Sequence, residues 1–600
     1  MTKQLRFAIT LVLAFATLVF VAACGGSSSD DTATTATMTE PQSPQQPVQP
    51  APATAPDAPT RPSTIAPVVA PTAAAPTGSV DLAMPGPAPF ERLVIAMTAP
   101  TDETNSAISV GGTSGWQLGP MYEWTASVDP ETGAYTPMLA EDWSIAEKSV
   151  TFTFREGVQF HNGWGELTAY DFEDSIRDAT HEDNPGGAQY IAAIENVQVL
   201  NDRQAVVNLK TINVTLFRNM SQFVGGFELM SSKNFDELGR YPKLDEPPIA
   251  GTGPYQFVER SEGSYVRFKR VPYQHWRVTP EFEELELRFI SEESTRLAAL
   301  LTDEVHISPL ATDLHETAFS KGMSSIKGTI PAKRINFQYL CCYLEDRTMP
   351  ELGYVYPDVP MMDIRIRQAL SKAIDRNVIN QALFNGGADI MQVQGYNPRS
   401  DGWNPEWPAA FEANFNYDPE GAKALLAEAG YGPNNPYEMG MVLLSSYRGL
   451  PEGQDVVLAT VDMLQDIGVK VNIESMDSAT QGTRARNLEF DNHLNLRQTS
   501  SDLFTNVFIY GSQWGRTPGV FVIPRLNELH LAARATLNQA EHTKIFREVG
   551  DIMVNQNQAI PLLWIPTVMV YNPDIVGEWV FPGSMIALYS HFDNVKAARQ

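Results

Sequence analysis

No aromatic residue occurs between Gly25 and Pro89. That stretch has one basic residue, Arg61, and five acidic ones, and residues 41–90 hold 14 prolines among Ala, Thr and Gln. Such a segment cannot bury enough apolar surface to offset the entropy lost on ordering. It therefore divides the chain. Any globular body must begin near Phe90, and all ten tryptophans lie beyond that point. Residues 25–89 are expected to form a disordered Pro/Ala/Thr-rich tether. A flexible chain of that length would average about 45 Å end to end, and the prolines should lengthen it.

The segment before the tether has the form of a targeting signal and is set aside from fold reasoning. Lys3 and Arg6 give a positive start, and Phe7 to Ala23 carries no charge. The run ends in Val21-Ala22-Ala23-Cys24 followed by Gly25-Gly26. Small residues before a cysteine resemble the bacterial lipobox, which implies that residues 1–24 are a lipoprotein signal peptide and that Cys24 is acylated. A plain secretory peptide and an uncleaved signal anchor are the alternatives. No other stretch reaches the 18 or more apolar residues of a spanning helix. The expected location is extracytoplasmic, anchored by lipid to a bacterial membrane.

Charge and cysteine content narrow the function. Lys+Arg total 43 against 71 Asp+Glu, a formal net charge of −28. Nucleic-acid binding needs basic surface to neutralise phosphates, so it is excluded as a partner class. Three cysteines are too few for a disulfide framework. The nine histidines show no His-Glu-x-x-His pattern, and no Cys-x-x-Cys, P-loop or Gly-x-Ser-x-Gly elbow is present. No cofactor or metal is expected, and no catalytic residue is assigned. Cys341 and Cys342 lie in an apolar, strand-like run, Asn336 to Leu344. Neighbouring strand side chains face opposite ways, so two buried thiols are expected, with a vicinal disulfide as the less common alternative.

From residue 90 strand-like and helix-like segments alternate. Ser149 to Phe154 alternates polar and apolar residues as a half-buried strand does. Arg203 to Leu209, Tyr255 to Val258 and Ser264 to Phe268 also read as strands. A helix is expected from Asp363 to Leu383, ended by Gly386-Gly387. Another is expected from Asp418 to Gly430, with Asp at the N-cap, Pro in the first turn and Gly past the end. A third, near Val456 to Ile467, stops at Gly468 before the strand Val469 to Ile473. This alternation indicates an α/β body.

Four stretches then carry a resemblance. The first runs from Leu139-Ala140-Glu141-Asp142-Trp143 through Phe152-Thr153-Phe154-Arg155-Glu156-Gly157-Val158-Gln159-Phe160-His161-Asn162-Gly163 to Leu167-Thr168-Ala169-Tyr170-Asp171-Phe172. The second is Gly251-Thr252-Gly253-Pro254-Tyr255 with Arg270 to Trp276. The third is Asp363 to Arg376, and the fourth Tyr417 to Tyr431. In this order they resemble the solute-binding proteins of bacterial ABC importers, family 5, the oligopeptide/dipeptide/nickel-binding class.

The resemblance implies a three-lobed type II periplasmic-binding-protein fold with a hinged ligand cleft. By analogy lobe I is about 90–124, 250–335 and 560–600, lobe II about 125–249 and lobe III about 336–559. It implies a monomer that captures di- or oligopeptides, closes over them and docks on ABC permease subunits, with no catalysis. Nickel chelates, oligosaccharides, a lipid-anchored sensor role and a secreted hydrolase are the alternatives.

Most matched residues, such as Trp143, Phe152, Phe154 and Phe160, read as core, and Gly251 and Gly253 as backbone turns. Ligand contacts are expected from loops. Asp502, in Leu496 to Phe504, sits where peptide-binding members carry an Asp that pairs with an α-ammonium. The family's Gly-Trp, Tyr and Pro are missing there and the spacing is offset, which leaves Asp502 equally readable as a helix N-cap. Arg497 is a candidate partner for a ligand carboxylate or phosphonate, or a structural ion pair. Trp116, Tyr396 and Trp403, loop aromatics beside glycines, are candidates for stacking on a ligand or for ordinary packing.

Overall fold

The computed structural model describes residues 84–600 except 101–102, 106–114, 130–134, 181–193, 211, 213–215, 223–226, 239–247, 330–332, 346–349, 448–449, 500–520, 537, 583–591 and 600. Three large sheets organise these residues. The first has seven strands in the order Tyr255–Ser261, Tyr265–Arg270, Phe282–Phe289, Phe90–Met97, Ile307–Ser308, Val568–Tyr571 and Ser324–Lys327. Its central strand Phe90–Met97 runs parallel to Phe282–Phe289, which sets Leu93 opposite Leu285 and Ile95 opposite Leu287. Parallel neighbours of this kind are covered on both faces, which explains the near-continuous apolar run in Phe90–Met97. The sheet takes strands from three separate parts of the chain.

The second sheet is antiparallel: Ala140–Ile145, Ser149–Phe154, Gln204–Leu209 and Ile194–Asn201. Ser149–Phe154 buries Val150, Phe152 and Phe154, as its alternation requires. The helix Ala169–Ala179 covers that face, with Phe172 ring centroids 5.6 Å from Phe152 and 4.9 Å from Phe154. Asp171 starts the helix by accepting from the Thr168 backbone N–H at 2.6 Å. The turn Gly251–Gly253 is crossed at backbone distance by Pro120 and Met121. A Cβ at either glycine would overlap the Met121 or Pro120 carbonyl. These glycines therefore serve chain packing, as expected.

The third sheet has six strands: Asp389–Ile390, Ala559–Ile565, Lys333–Leu340, His493–Thr499, Glu438–Leu444 and Lys470–Met476. The chain leaves this sheet only after Ile565, so the boundary expected near residue 560 falls inside a strand. One face packs on helices through Ile335, Phe337, Tyr339, Leu494 and Leu496.

Two local expectations are corrected. The segment Asp363 to Leu383 is two helices, Ile364–Lys372 and Arg376–Phe384. Asp375 breaks the run because its carboxylate accepts from the N–H groups of Asn377 and Val378 at 3.0 and 3.1 Å, which makes it a second N-cap. Arg376 then turns inward and donates to the Pro561 carbonyl at 2.7 Å. The second correction concerns Cys341 and Cys342, which are joined as a vicinal disulfide. The strand ends at Leu340, and Cys342 adopts φ 60°, so the opposite-face argument for two thiols does not apply. Both residues are buried.

Candidate functional site

Two neighbouring strands carry the same alternation. Lys333–Leu340 places Arg334, Asn336 and Gln338 between Ile335, Phe337 and Tyr339. His493–Thr499 places His493, Asn495 and Arg497 between Leu494 and Leu496. Their antiparallel register sets Asn336 opposite Arg497 and Gln338 opposite Asn495. Directly opposed residues project to the same side. The apolar residues fill the helix-covered face, and the polar residues share the other. An alternating strand ordinarily shows its polar face to water. Here that face is buried too: Gln338 is 2% exposed and Asn495 5%. Among the described residues, the Nε2 of Gln338, the Oδ1 of Asn495 and the Nε of Arg497 are buried without a hydrogen-bond partner. Nearly all buried polar groups in native proteins are paired, so an unpaired set on adjacent rungs marks a place built for something else.

The structure distributes the sequence-derived candidates unevenly. Arg497 stands on this polar face, half-buried. Asp502 and Cys24 lie outside the described residues. The three aromatics, read from sequence as stacking on a ligand or as ordinary packing, each lie against another ring. Tyr396 is 1% exposed, donates its hydroxyl to the Phe546 carbonyl at 2.6 Å and lies edge-on to Trp407 at 5.0 Å. Trp403 is half-buried and lies edge-on to the same ring at 5.3 Å. Trp116 is 4% exposed and edge-on to Phe289 at 5.9 Å. Glycines beside these rings mark tight turns that fold them inward. Gln338 and Asn495 escaped the sequence reading because the run from Asn336 was taken as apolar. The matched alternation of two strands was the signal that could have found them.

A second buried polar cluster, beside the seven-stranded sheet, is tied together by charge, although His161 Nδ1 and Thr252 Oγ1 are buried without a hydrogen-bond partner among the described residues. Glu123 accepts from Trp276 Nε1 at 2.8 Å and from Arg277 Nε at 3.0 Å, and Arg277 reaches Asp593 at 2.6 Å. His275 donates Nε2–H to the Thr252 carbonyl at 2.8 Å and lies 3.6 Å from Glu123. Burial alone would raise the Glu123 pKa. The charges and hydrogen bonds of His275, Arg277 and Trp276 outweigh it and hold the carboxyl at about 2. His161, which donates to the Gly253 carbonyl at 2.7 Å, is pushed down to about 4 by burial and, secondarily, by His275. Among the described residues no group of three or more His, Cys, Asp or Glu could hold a metal ion, and no helix is long and apolar enough to cross a membrane.

Comparison with known proteins decides what such a scaffold is. Residues 134–515 match the family described as bacterial extracellular solute-binding proteins, family 5. The chain belongs to this family. It is 25% identical over 332 residues to the dipeptide-binding protein of Escherichia coli, covering 52% of this chain and 58% of that protein. It is 24% identical over 476 residues to the glutathione-binding protein GsiB of Salmonella typhimurium, covering 74% of this chain and 83% of that one. Among solved structures, the periplasmic binding protein DppA of Helicobacter pylori, in complex with the peptide STSA, superposes with a TM-score of 0.61. The identity is 18%, with 85% of this chain and 98% of that chain covered. The family-5 protein thus has the α/β type II periplasmic-binding-protein fold, and the family consists of extracellular solute-binding proteins.

Proposed function

We propose that this family-5 protein is the extracytoplasmic binding component of an ABC importer, capturing short peptides and delivering them to the membrane permease. The match over residues 134–515 carries this reading. Relatives named for dipeptides and glutathione support peptides over other solutes. In this reading the three lobes follow the expected outline with the third extended through Ile565, the solute is held between the bodies built on the seven- and six-stranded sheets, and the protein acts as a monomer. Arg497, whose Nε is buried without a hydrogen-bond partner among the described residues, receives the peptide carboxylate, where a charge-assisted bidentate pair is strongest. Asp502 receives the α-ammonium. Cys24 carries the lipid, and residues 25–89 tether the body to the membrane.

Native mass spectrometry of the purified full chain tests the reading. Heterogeneous increments that fragment as peptides are the expected result. A single non-peptide or metal-containing mass would keep the solute-binding role and reject peptides. For the anchor, the expected intact mass includes acyl chains on Cys24, lost in Cys24→Ser.

A further inference from the structure

The unpaired rung Gln338–Asn495 has a chemistry of its own. Across four strands it reads Ala559, Gln338, Asn495, Val442. The flanking residues are apolar, so neither amide can be satisfied from the side by a neighbouring side chain. One rung nearer the start of Lys333–Leu340 stand Pro561, Asn336 and Arg497. Residues two apart on one strand face are separated by about 7 Å. A buried donor, Gln338 Nε2, and a buried acceptor, Asn495 Oδ1, therefore stand on the same face as Arg497 and one such step from it, and Arg497 Nε is also buried without a hydrogen-bond partner among the described residues. A donor facing an acceptor is the complement of an amide, whose carbonyl takes the first and whose N–H meets the second. Leaving both atoms unmet costs their full desolvation, and a ligand amide that met both would recover it.

We propose that Gln338 and Asn495 are specificity-determining residues that bind the side-chain amide of a peptide ending in Gln or Asn, while Arg497 holds its terminal carboxylate. This inference rests on the peptide-capture reading above and narrows its substrate. A side-chain amide lies within a few bonds of the C-terminal carboxylate in such a peptide, which suits the spacing of the two rungs. An isosteric Leu at that position would leave Gln338 and Asn495 unpaired in the complex, and the complex would be weaker for it.

The test is isothermal titration of the full chain, freed of co-purified solute, with Ala-Ala-Gln and Ala-Ala-Leu. The wild type is expected to bind the Gln peptide at least about tenfold more tightly. In the double variant Gln338→Met/Asn495→Leu the preference should fall below about threefold, with binding of the Leu peptide retained. Thermal unfolding of the solute-free variant guards against a folding defect. It should match or exceed the wild type, because two unpaired buried atoms have been removed. Equal binding of both peptides by the wild type would overturn the inference and leave peptide capture standing. So would a preference that survives in the double variant. A fall of more than about 3 °C in the variant's unfolding temperature would show the amides to be paired within the protein, and would also overturn it. Binding of neither peptide, with none among the co-purified solutes, would overturn both readings.

Discussion

Two buried polar clusters in this molecule have opposite accounts. Beside the seven-stranded sheet, Glu123 is met by Trp276 and Arg277, and Arg277 by Asp593. On the six-stranded sheet, Gln338, Asn495 and Arg497 each present a buried atom without a hydrogen-bond partner among the described residues. Both are shielded from water, so burial does not tell them apart. What separates them is charge pairing: the first holds Glu123 and Asp593 against Arg277, whereas Gln338 and Asn495 are neutral amides beside an arginine with no ion pair among the described residues. The difference teaches that equal burial can accompany either a charge-paired brace or a row of neutral amides, and the proposed solute site is the second kind.

The comparison breaks most readily at Glu123. Glu123→Ala strands Arg277 against a single remaining carboxylate, and a loss of about 3–5 kcal/mol of stability is expected. Urea denaturation would measure it. A loss below about 1 kcal/mol would mean that the network is not the brace it is taken to be.

Acid separates the groups by window. In the unfolded chain His161 takes its proton near pH 6.5, and in the folded protein only near 4. Between those values the unfolded state binds more protons, so stability is full above pH 6.5 and falls as pH drops towards 4, by about 3 kcal/mol. His530, held down to about 4 by burial and by Arg534, adds to the same window. Glu123 acts lower: its contribution is intact above pH 4.5 and is lost as pH falls towards 2. Urea midpoints at pH 7, 5 and 4 should decline, and His161→Asn should flatten the slope. An unchanged slope would reject the assignment.

The two arginines offer a direct exchange. Arg277→Met should cost about 3 kcal/mol of stability, because Glu123 and Asp593 are left buried without it. Arg497→Met should leave stability within about 1 kcal/mol yet weaken peptide binding by about tenfold or more. If the effects fall the other way round, the roles assigned to the two clusters are reversed. Smallest is Tyr396→Phe, which removes the hydroxyl donated to Phe546. A loss of about 1 kcal/mol with unchanged binding is expected. A binding defect would return this ring to the solute.

Local punctuation made much of the fold legible. The helix Pro419–Glu428 begins where Asp418 and Pro419 say it must, because Asp418 accepts from the Gly421 N–H at 2.9 Å. Ser149–Phe154 matches its alternation residue for residue. The break at Asp375 was missed because helical periodicity of the apolar face continues across it. The polar face was missed for a deeper reason. Alternation reveals which residues share a side, but whether that side meets water depends on chain segments far away in sequence. For Trp116 and Tyr396 the same blindness worked in reverse, since a loop position gave no sign of the cores beneath.

The vicinal bond between Cys341 and Cys342 has a consequence for how the protein can be made. The chain's only other cysteine is Cys24. If that sulfur is acylated as proposed, no third thiol remains to attack the pair, so no wrong disulfide can form within one molecule. Oxidation within one molecule then becomes a choice between one bond and none, and both sulfurs sit side by side in the sequence that would report it.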